Sequence, residues 1–448
     1  MVTDAELARG IPEDLKPTEL GPLPNDWLVL PLGELYDMQQ GKALSPAARL
    51  GKSPKPFLRT ANVLWGRLDL SVLDQMDFSE AECERLALHP GDLLICEGGD
   101  IGRTAIWSGE VSPCFHQNHI HRLRRVASNI EPKFHMYWMQ EALLHLRLYG
   151  GAGNKTTIPN LSKARLGAFL VPVPPLKEQR AMAHVLSTIQ HTIEATERVI
   201  AAAREFKRSL MRYLFTYGPV PLAEAERVTL KETEIDPMPE HWGVVSLGKV
   251  TTASQYGLSL RGSADGAFPI LRMNNLANGH VDSSRLQYVN LDGNSFRKFK
   301  VHKGDILFNR TNSHDLVGKT ALFDSERDFV FASYLIRVVT DGERLCPQYL
   351  NDLLNWDPSQ VRLKALASRG VSQSNISASK LRNLEVPLPP TSEQRHIADI
   401  LSAVVHKIET EEKRKTALQE LFRTMLHLLM TGQVRVRNFL PKAEKEVS

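Results

Sequence analysis

The sequence predicts an α+β fold in which two pseudo-repeated mixed α/β globular domains are joined by two long antiparallel coiled-coil helices. Three observations predict it. A set of short motifs occurs twice, in the same order and at a nearly constant offset. Each copy closes with a Pro-Pro pair followed by about 40 residues whose apolar positions step by three and four. Ahead of each Pro-Pro pair lie short β-branched or aliphatic runs bounded by Gly, Asn and Asp, the pattern of strands and turns.

Composition bounds the class. The chain has 448 residues, 42% of them hydrophobic, with 55 Lys and Arg against 51 Asp and Glu, a formal net charge of +4. That length suits two or three domains with buried cores and excludes a disordered or fibrous protein. The charge is far below that of a protein that coats nucleic acid by bulk attraction, so any basic contacts must be placed locally. Cys83, Cys96, Cys114 and Cys346 stand apart with no C-x-x-C pair, which argues against a disulfide framework or a cysteine-rich zinc site. No run approaches the roughly 18 apolar residues of a membrane span, and the N-terminus carries Asp, Glu and Pro where a signal peptide needs an apolar stretch. The expectation is a soluble, cytoplasmic protein.

Taken in order, the chain opens with a tail, 1–22, whose first 20 residues have no repeat partner. The first globular domain spans 23–175 and the first long helix 176–217. An acidic linker, 218–237, leads to the second domain, 238–390, the second helix, 391–432, and a C-terminal tail, 433–448. Leu23-Pro24-Asn25-Asp26-Trp27 returns as Met238-Pro239-Glu240-His241-Trp242, 215 residues on. Val171-Pro172-Val173-Pro174-Pro175 with Glu178-Gln179-Arg180 returns at the same offset as Val386-Pro387-Leu388-Pro389-Pro390 with Glu393-Gln394-Arg395. Between them, Gly91-Asp92-Leu93-Leu94 matches Gly304-Asp305-Ile306-Leu307, and Gly102-Arg103-Thr104-Ala105 matches Gly318-Lys319-Thr320-Ala321.

The helices give the clearest local signal. Leu186, Ile189, Ile193, Thr196, Ile200, Ala203, Phe206, Leu210 and Leu214 form one seam; Leu401, Val404, Ile408, Glu411, Lys415, Leu418, Phe422, Met425 and Leu429 form the other. Thr196, Glu411 and Lys415 make the seam centres polar, which weakens packing but fixes register. The start Thr391-Ser392-Glu393-Gln394 fits a capping box, with Gln394 reaching back to the first turn.

The duplicated Pro-Pro-x-x-Glu-Gln-Arg helix start, the Leu/Met-Pro-x-x-Trp domain start, the Gly-Asp-Leu/Ile-Leu strand and the closing Leu429-Met430-Thr431-Gly432-Gln433-Val434-Arg435-Val436 resemble the DNA-specificity subunit of type I restriction-modification enzymes. The resemblance covers nearly the whole chain. It implies that each globule is a target recognition domain reading one half of a split site on double-stranded DNA, with the paired helices setting the unread spacer. It also implies two modification (methyltransferase) subunits on the helical region and restriction subunits in the full complex. S-adenosylmethionine would then belong to the modification subunit and ATP with Mg to the restriction subunit, with no cofactor on this chain.

Matched loops are where DNA contacts are expected, since equivalent positions on two related domains face a ligand together. The first pair of segments follows the Gly-Asp strand: 97–103 with Arg103, and Arg310, Thr311, Asn312 and Ser313 leading to Lys319. Arg103 and Lys319 occupy matched positions suited to a phosphate, although a hairpin with solvated charges accounts for them equally well. The second pair is Gln117, Asn118 and His119 against Ser333 and Tyr334. Read as a strand, it puts Gln117, His119 and His121 on one face. The two histidines lack a third ligand at metal spacing, and Leu335 takes the position matching His119, so no metal site is expected. The third pair, just before each Pro-Pro, holds Lys155, Thr156 and Thr157, and Arg369, Ser372, Gln373 and Ser374. A nucleotide-binding P-loop would need Gly where Tyr149 and Asn154 stand, so a polar loop lying against DNA is the better reading.

An amino-methylating enzyme would carry an Asp/Asn-Pro-Pro-aromatic motif; here Val173 and Leu388 precede the Pro-Pro pairs and Leu176 and Thr391 follow them. The chain is therefore expected to be non-catalytic. The alternative is a coiled-coil scaffold whose globular domains bind protein partners.

Overall fold

A computed structural model describes residues 13–49, 51, 53–148, 161–369 and 373–436. Two helices dominate it, Leu176–Tyr217 and Thr391–Met430, of 42 and 40 residues. The chain divides into two compact units, one of residues 1–196 with 414–448 and one of residues 197–413. Each unit holds one globular head, the adjoining part of the helix that follows it and the closing part of the other helix.

In the first unit, an antiparallel sheet runs in the order Thr104–Ile106, Leu93–Cys96, Ile120–Arg125, Tyr36–Gln40. Asp92 starts it: its carboxylate accepts from the His89 backbone N–H at 2.7 Å across a turn that Gly91 enters at φ 92°. Arg124 then grips Asp92 at 2.7 and 2.8 Å. The alternation of strand residues sends Leu93, Ile95 and Leu123 into a core with Trp27, Phe134 and Trp138, and sends Leu94 and Cys96 into a second cluster with Leu58 and Trp107. The larger core also takes Met182 and Leu186 from the first helix and Phe422, Leu426 and Leu429 from the second.

The second unit repeats the plan in a sheet ordered Thr251–Tyr256, Leu335–Thr340, Ile306–Asn309, Thr320–Leu322, extended by Gly279–Val281 and Leu276–Ala277. Asp305 accepts from His302 N at 2.8 Å beside Gly304, again at φ 92°. Ile306, Phe308 and Ile336 face a core with Trp242 and Tyr349 that is completed by Met211, Leu214 and Phe215 from one helix and Ile397 and Leu401 from the other. In both units the start of one helix lies beside the end of the other, so the two segments are antiparallel there.

The motifs that mark the repeat turn out to be joints between head and helix. Trp27 Nε1 donates to Glu178 at 3.3 Å and Trp242 Nε1 donates to Glu393 at 2.9 Å. Gln179 accepts from Glu131 N at 2.8 Å and donates to Asn129 O and Pro174 O; Gln394 does the same with Cys346 N, Arg344 O and Pro389 O. Gln394 is therefore not half of a capping box: it is fully buried and spends its amide on backbone groups of the head. Arg435 clamps Glu178 at 2.6 and 2.7 Å and reaches Asp26 at 2.8 Å, and these carboxylates hold its pKa above the ordinary arginine value.

Two further expectations are corrected. The described part of the N-terminal tail, from residue 13, does have a repeat counterpart: Leu15–Lys16 pairs with Leu23–Pro24 as Leu230–Lys231 pairs with Met238–Pro239. Thr18 and Thr233 close matching turns onto Gly21 O and Asp236 O. The seam also loses Phe206, which is 57% exposed; the helix meets the head through Met211, Leu214 and Phe215, further along. Thr196 and Glu411 are buried at 3% and 5%; the Thr196 hydroxyl donates back to Thr192 O at 2.8 Å, and Glu411 pairs with Lys407. Among the described residues no helix is long and apolar enough to cross a membrane.

Candidate nucleic-acid interface

In the second head the three predicted segments meet. Thr311–Asn312 is one strand of a small antiparallel sheet whose centre is Ser374–Asn375 and whose far edge is Ser368–Arg369, in the register Thr311↔Asn375 and Asn312↔Ser374. This joins the first segment to the third. Arg310 joins both to the second: its backbone N–H donates to Tyr334 O at 3.0 Å, and its guanidinium donates to Asn375 Oδ1 at 3.0 Å and Ser333 O at 3.4 Å. The guanidinium lies 4.7 Å over the Tyr256 ring, a cation–π contact, and the Tyr256 hydroxyl accepts from Ala378 N at 2.8 Å. Asn375 completes the knot by donating to Thr311 Oγ1 at 3.1 Å.

The second segment is a turn in both heads. Ile120 N donates to Gln117 O and Leu335 N to Ala332 O, each at 2.9 Å, so Asn118-His119 and Ser333-Tyr334 are the matched tips. The turn breaks the strand alternation expected of Gln117, His119 and His121, because the chain reverses between the short strand Phe115–His116 and the long strand Ile120–Arg125. His119 is exposed at the tip, whereas His121 is fully buried, 3.0 Å from Leu161 O and 3.3 Å from Glu97. Burial lowers the His121 pKa against the opposing pull of Glu97. No group of three or more His, Cys, Asp or Glu suited to a metal ion occurs among the described residues.

Each turn is pinned by a glycine the sequence reading did not use. A Cβ on Gly41 would lie 2.2 Å from His116 O, and one on Gly257 would lie 2.4 Å from Phe331 O. Only glycine lets the backbone pass so close. The first head then differs in chemistry under the turn: Glu97 stands where the second has Arg310, with its backbone N–H donating to His119 O at 2.8 Å and its carboxylate accepting from Gln40 at 2.7 Å.

The remaining predicted residues are placed as follows. Arg103 pairs with Asp100 inside its own loop. Lys319 is exposed and lines a cleft of about 550 Å³ with Arg204, Lys207, Trp356 and Ile408, while its carbonyl accepts from Asn309 N as that of Arg103 accepts from Cys96 N, so the two positions match in backbone. Ser313 and Gln373 are exposed; Ser374 is buried at 3% because it sits on the central strand of the small sheet. Lys155, Thr156, Thr157 and Ser372 lie outside the described residues, and Arg369 is described for its backbone alone. Arg261, exposed between Leu258 and Ser263, escaped the sequence reading; the signal that could have found it is the Gly41 and Gly257 match, which aligns the segments leaving each turn.

Comparison with known proteins agrees with this architecture. The sequence model of the type I restriction modification DNA specificity domain matches the chain twice, over residues 24–204 and 239–420. The putative type I restriction enzyme MjaX specificity subunit of Methanocaldococcus jannaschii is 24% identical over 443 residues, which is 95% of this chain and 97% of that one. The type I restriction enzyme EcoKI specificity subunit of Escherichia coli K12 is 22% identical over 88% of this chain and 85% of its own length. The crystal structure of the type I restriction-modification system S subunit from M. genitalium aligns with a TM-score of 0.57 at 15% identity, covering 90% of this chain and 96% of that one, so the fold is shared. With its motif set duplicated in order, its two heads built alike and most of its length matched, the chain belongs to the type I restriction-modification DNA-specificity family, the non-catalytic DNA-recognition components of those systems.

Proposed function

We propose that each head reads one half of a bipartite DNA site and that the two long helices set the unread spacer and dock two modification subunits, which supply S-adenosylmethionine. Restriction subunits, with ATP and Mg, join for cleavage. The observation that carries the reading is the knot at Arg310, where three separately predicted polar segments are tied to one turn. Rigid loops presenting exposed hydroxyl, amide and basic groups from a fixed backbone are what base-edge readout needs. The contact set proposed for the second head is Thr311, Asn312, Ser313, Ser333, Tyr334, Arg369, Ser372 and Gln373, with Arg310 holding them. For the first head it is Gln117, Asn118, His119, Lys155, Thr156 and Thr157, with Arg103 flanking. The modest net charge of +4 suits a subunit whose methylating partners share the grip on the phosphates.

The test is DNA binding by the reconstituted methyltransferase complex over a salt series, with methylation mapping to define the site. Affinity should fall steeply with salt, and Lys155→Ala or Arg369→Ala should weaken it and reduce the salt slope by about one. Binding indifferent to salt and to both substitutions would leave the heads as protein-binding modules on a scaffold.

A further inference from the structure

The two heads share a backbone plan but present different chemistry at the turn, and the difference lies in apolar surface. Four large hydrophobic side chains stand exposed around the Arg310 knot: Tyr256 at 42%, Leu260 at 49%, Leu316 at 40% and Tyr334 at 45%. Single exposed hydrophobics are ordinary, but four on the short segments that run into one knot of hydrogen bonds are more than scatter. Tyr256 is committed as the platform under Arg310. Leu316 sits in the turn closed by Ser313 O. Tyr334 is held by its carbonyl to Arg310 N, and Leu260 follows Leu258, whose N–H donates to Phe331 O and whose carbonyl accepts from Ser333 N, each at 2.8 Å. Both side chains are therefore carried outward on a backbone fixed from both sides.

The first head differs at the positions matching Tyr334 and Leu260. Its turn tip is Asn118-His119. Lys42, which bridges to Gln117 as Leu258 bridges to Ala332, folds onto Glu82 at 2.6 Å and Asp77 O at 2.8 Å. Leu44, the counterpart of Leu260, packs on the buried cluster of Phe57, Met76 and Phe115.

Resting on the reading of the heads as DNA-reading domains, we infer that the second head recognises its half-site in part by apolar contact of Leu260 and Tyr334 with thymine methyl groups in the major groove. The argument is chemical. Leu260 has no donor or acceptor in its side chain, and the one apolar group on any base edge in the major groove is the C5-methyl of thymine. Arg261 next to it and Ser333 next to Tyr334 supply polar contacts on either side.

The test compares thymine-containing DNA carrying the mapped site with the same DNA in which every thymine is replaced by uracil, which keeps the hydrogen-bonding edge and removes the methyl. The wild-type complex should bind the uracil DNA about tenfold more weakly, the loss expected for one or two apolar base contacts. The double variant L260A/Y334A should bind thymine DNA as the wild type binds uracil DNA and should no longer distinguish the two. L260M/Y334F, which keeps the apolar surface, should retain the distinction, and V72A, at an exposed apolar residue of the first head outside its proposed contact set, should leave the ratio between the two DNAs unchanged. Equal wild-type binding to both DNAs would overturn the inference, as would a double variant that weakens binding yet still prefers thymine. Absence of sequence-specific binding to either DNA would instead count against the DNA-reading function itself.

Discussion

Gln179 and Gln394 each tie three backbone groups from a buried position, so their loss strands donors and acceptors where water cannot reach. Gln394→Ala should destabilise the second unit by about 3 kcal/mol, and Gln179→Ala the first by a similar amount, measured by denaturant unfolding. Gly257→Ala tests the turn more sharply: a methyl group 2.4 Å from two backbone oxygens cannot be absorbed without moving the Ser333-Tyr334 tip. That substitution should weaken DNA binding at least tenfold, about 1.4 kcal/mol, while a Gly293→Ala control, with nothing near its Cβ, should not. The residues that name the family were legible in the sequence, but their role was not. Trp27, Glu178 and Gln179 look like separate motifs until the fold places the Trp27 ring against the Glu178 carboxylate.

At the scale of the element, the two long helices were readable because their periodicity is local, and their bounds follow from the Pro-Pro pair at one end and Gly218 at φ 79° or Gly432 at φ 70° at the other. Which seam positions are buried was not local. Phe422 is 8% exposed and meets Tyr137 edge-on with ring centroids 6.0 Å apart, whereas Phe206, at a formally equivalent step, faces outward. Phe422→Ala should cost about 3–4 kcal/mol in unfolding experiments, and Phe206→Ala less than about 0.5 kcal/mol. If the helices act as the ruler proposed above, inserting four residues in one of them adds about 6 Å and a net rotation of roughly 40°. The methylated half-sites should then separate by one or two further base pairs, and an unchanged spacing in methylation mapping would refute the ruler.

At the scale of the whole molecule, the two units should respond oppositely to acid. In the first, burial lowers the His116 and His135 pKa values to about 4 and lowers that of His121 as well. Below the ordinary histidine value near 6.5 the unfolded chain takes up protons that the folded unit refuses, so stability falls as pH drops toward 4, by about 2 kcal/mol for each fully buried ring. In the second, burial raises the Asp352 pKa to about 6, so between pH 6 and the ordinary aspartate value the folded unit holds a proton that the unfolded chain releases. That contribution grows as pH falls. Hydrogen exchange resolved by peptide, followed from pH 7 to 4.5, should show the first unit opening before the second.

The sequence by itself determined the duplication, the order of head and helix, and the matched strands and turns, because each is written in short spacings that the second copy repeats. The tertiary structure alone decided which loops meet and what each matched position does. Arg310 reaches Tyr334 and Asn375 only through strand registers set across gaps of 24 and 65 residues. Glu97, at the same backbone position in the first head, meets Gln40 and His121 instead. Repetition fixes a backbone plan, but side-chain partners come from non-local packing, and there the two heads have diverged.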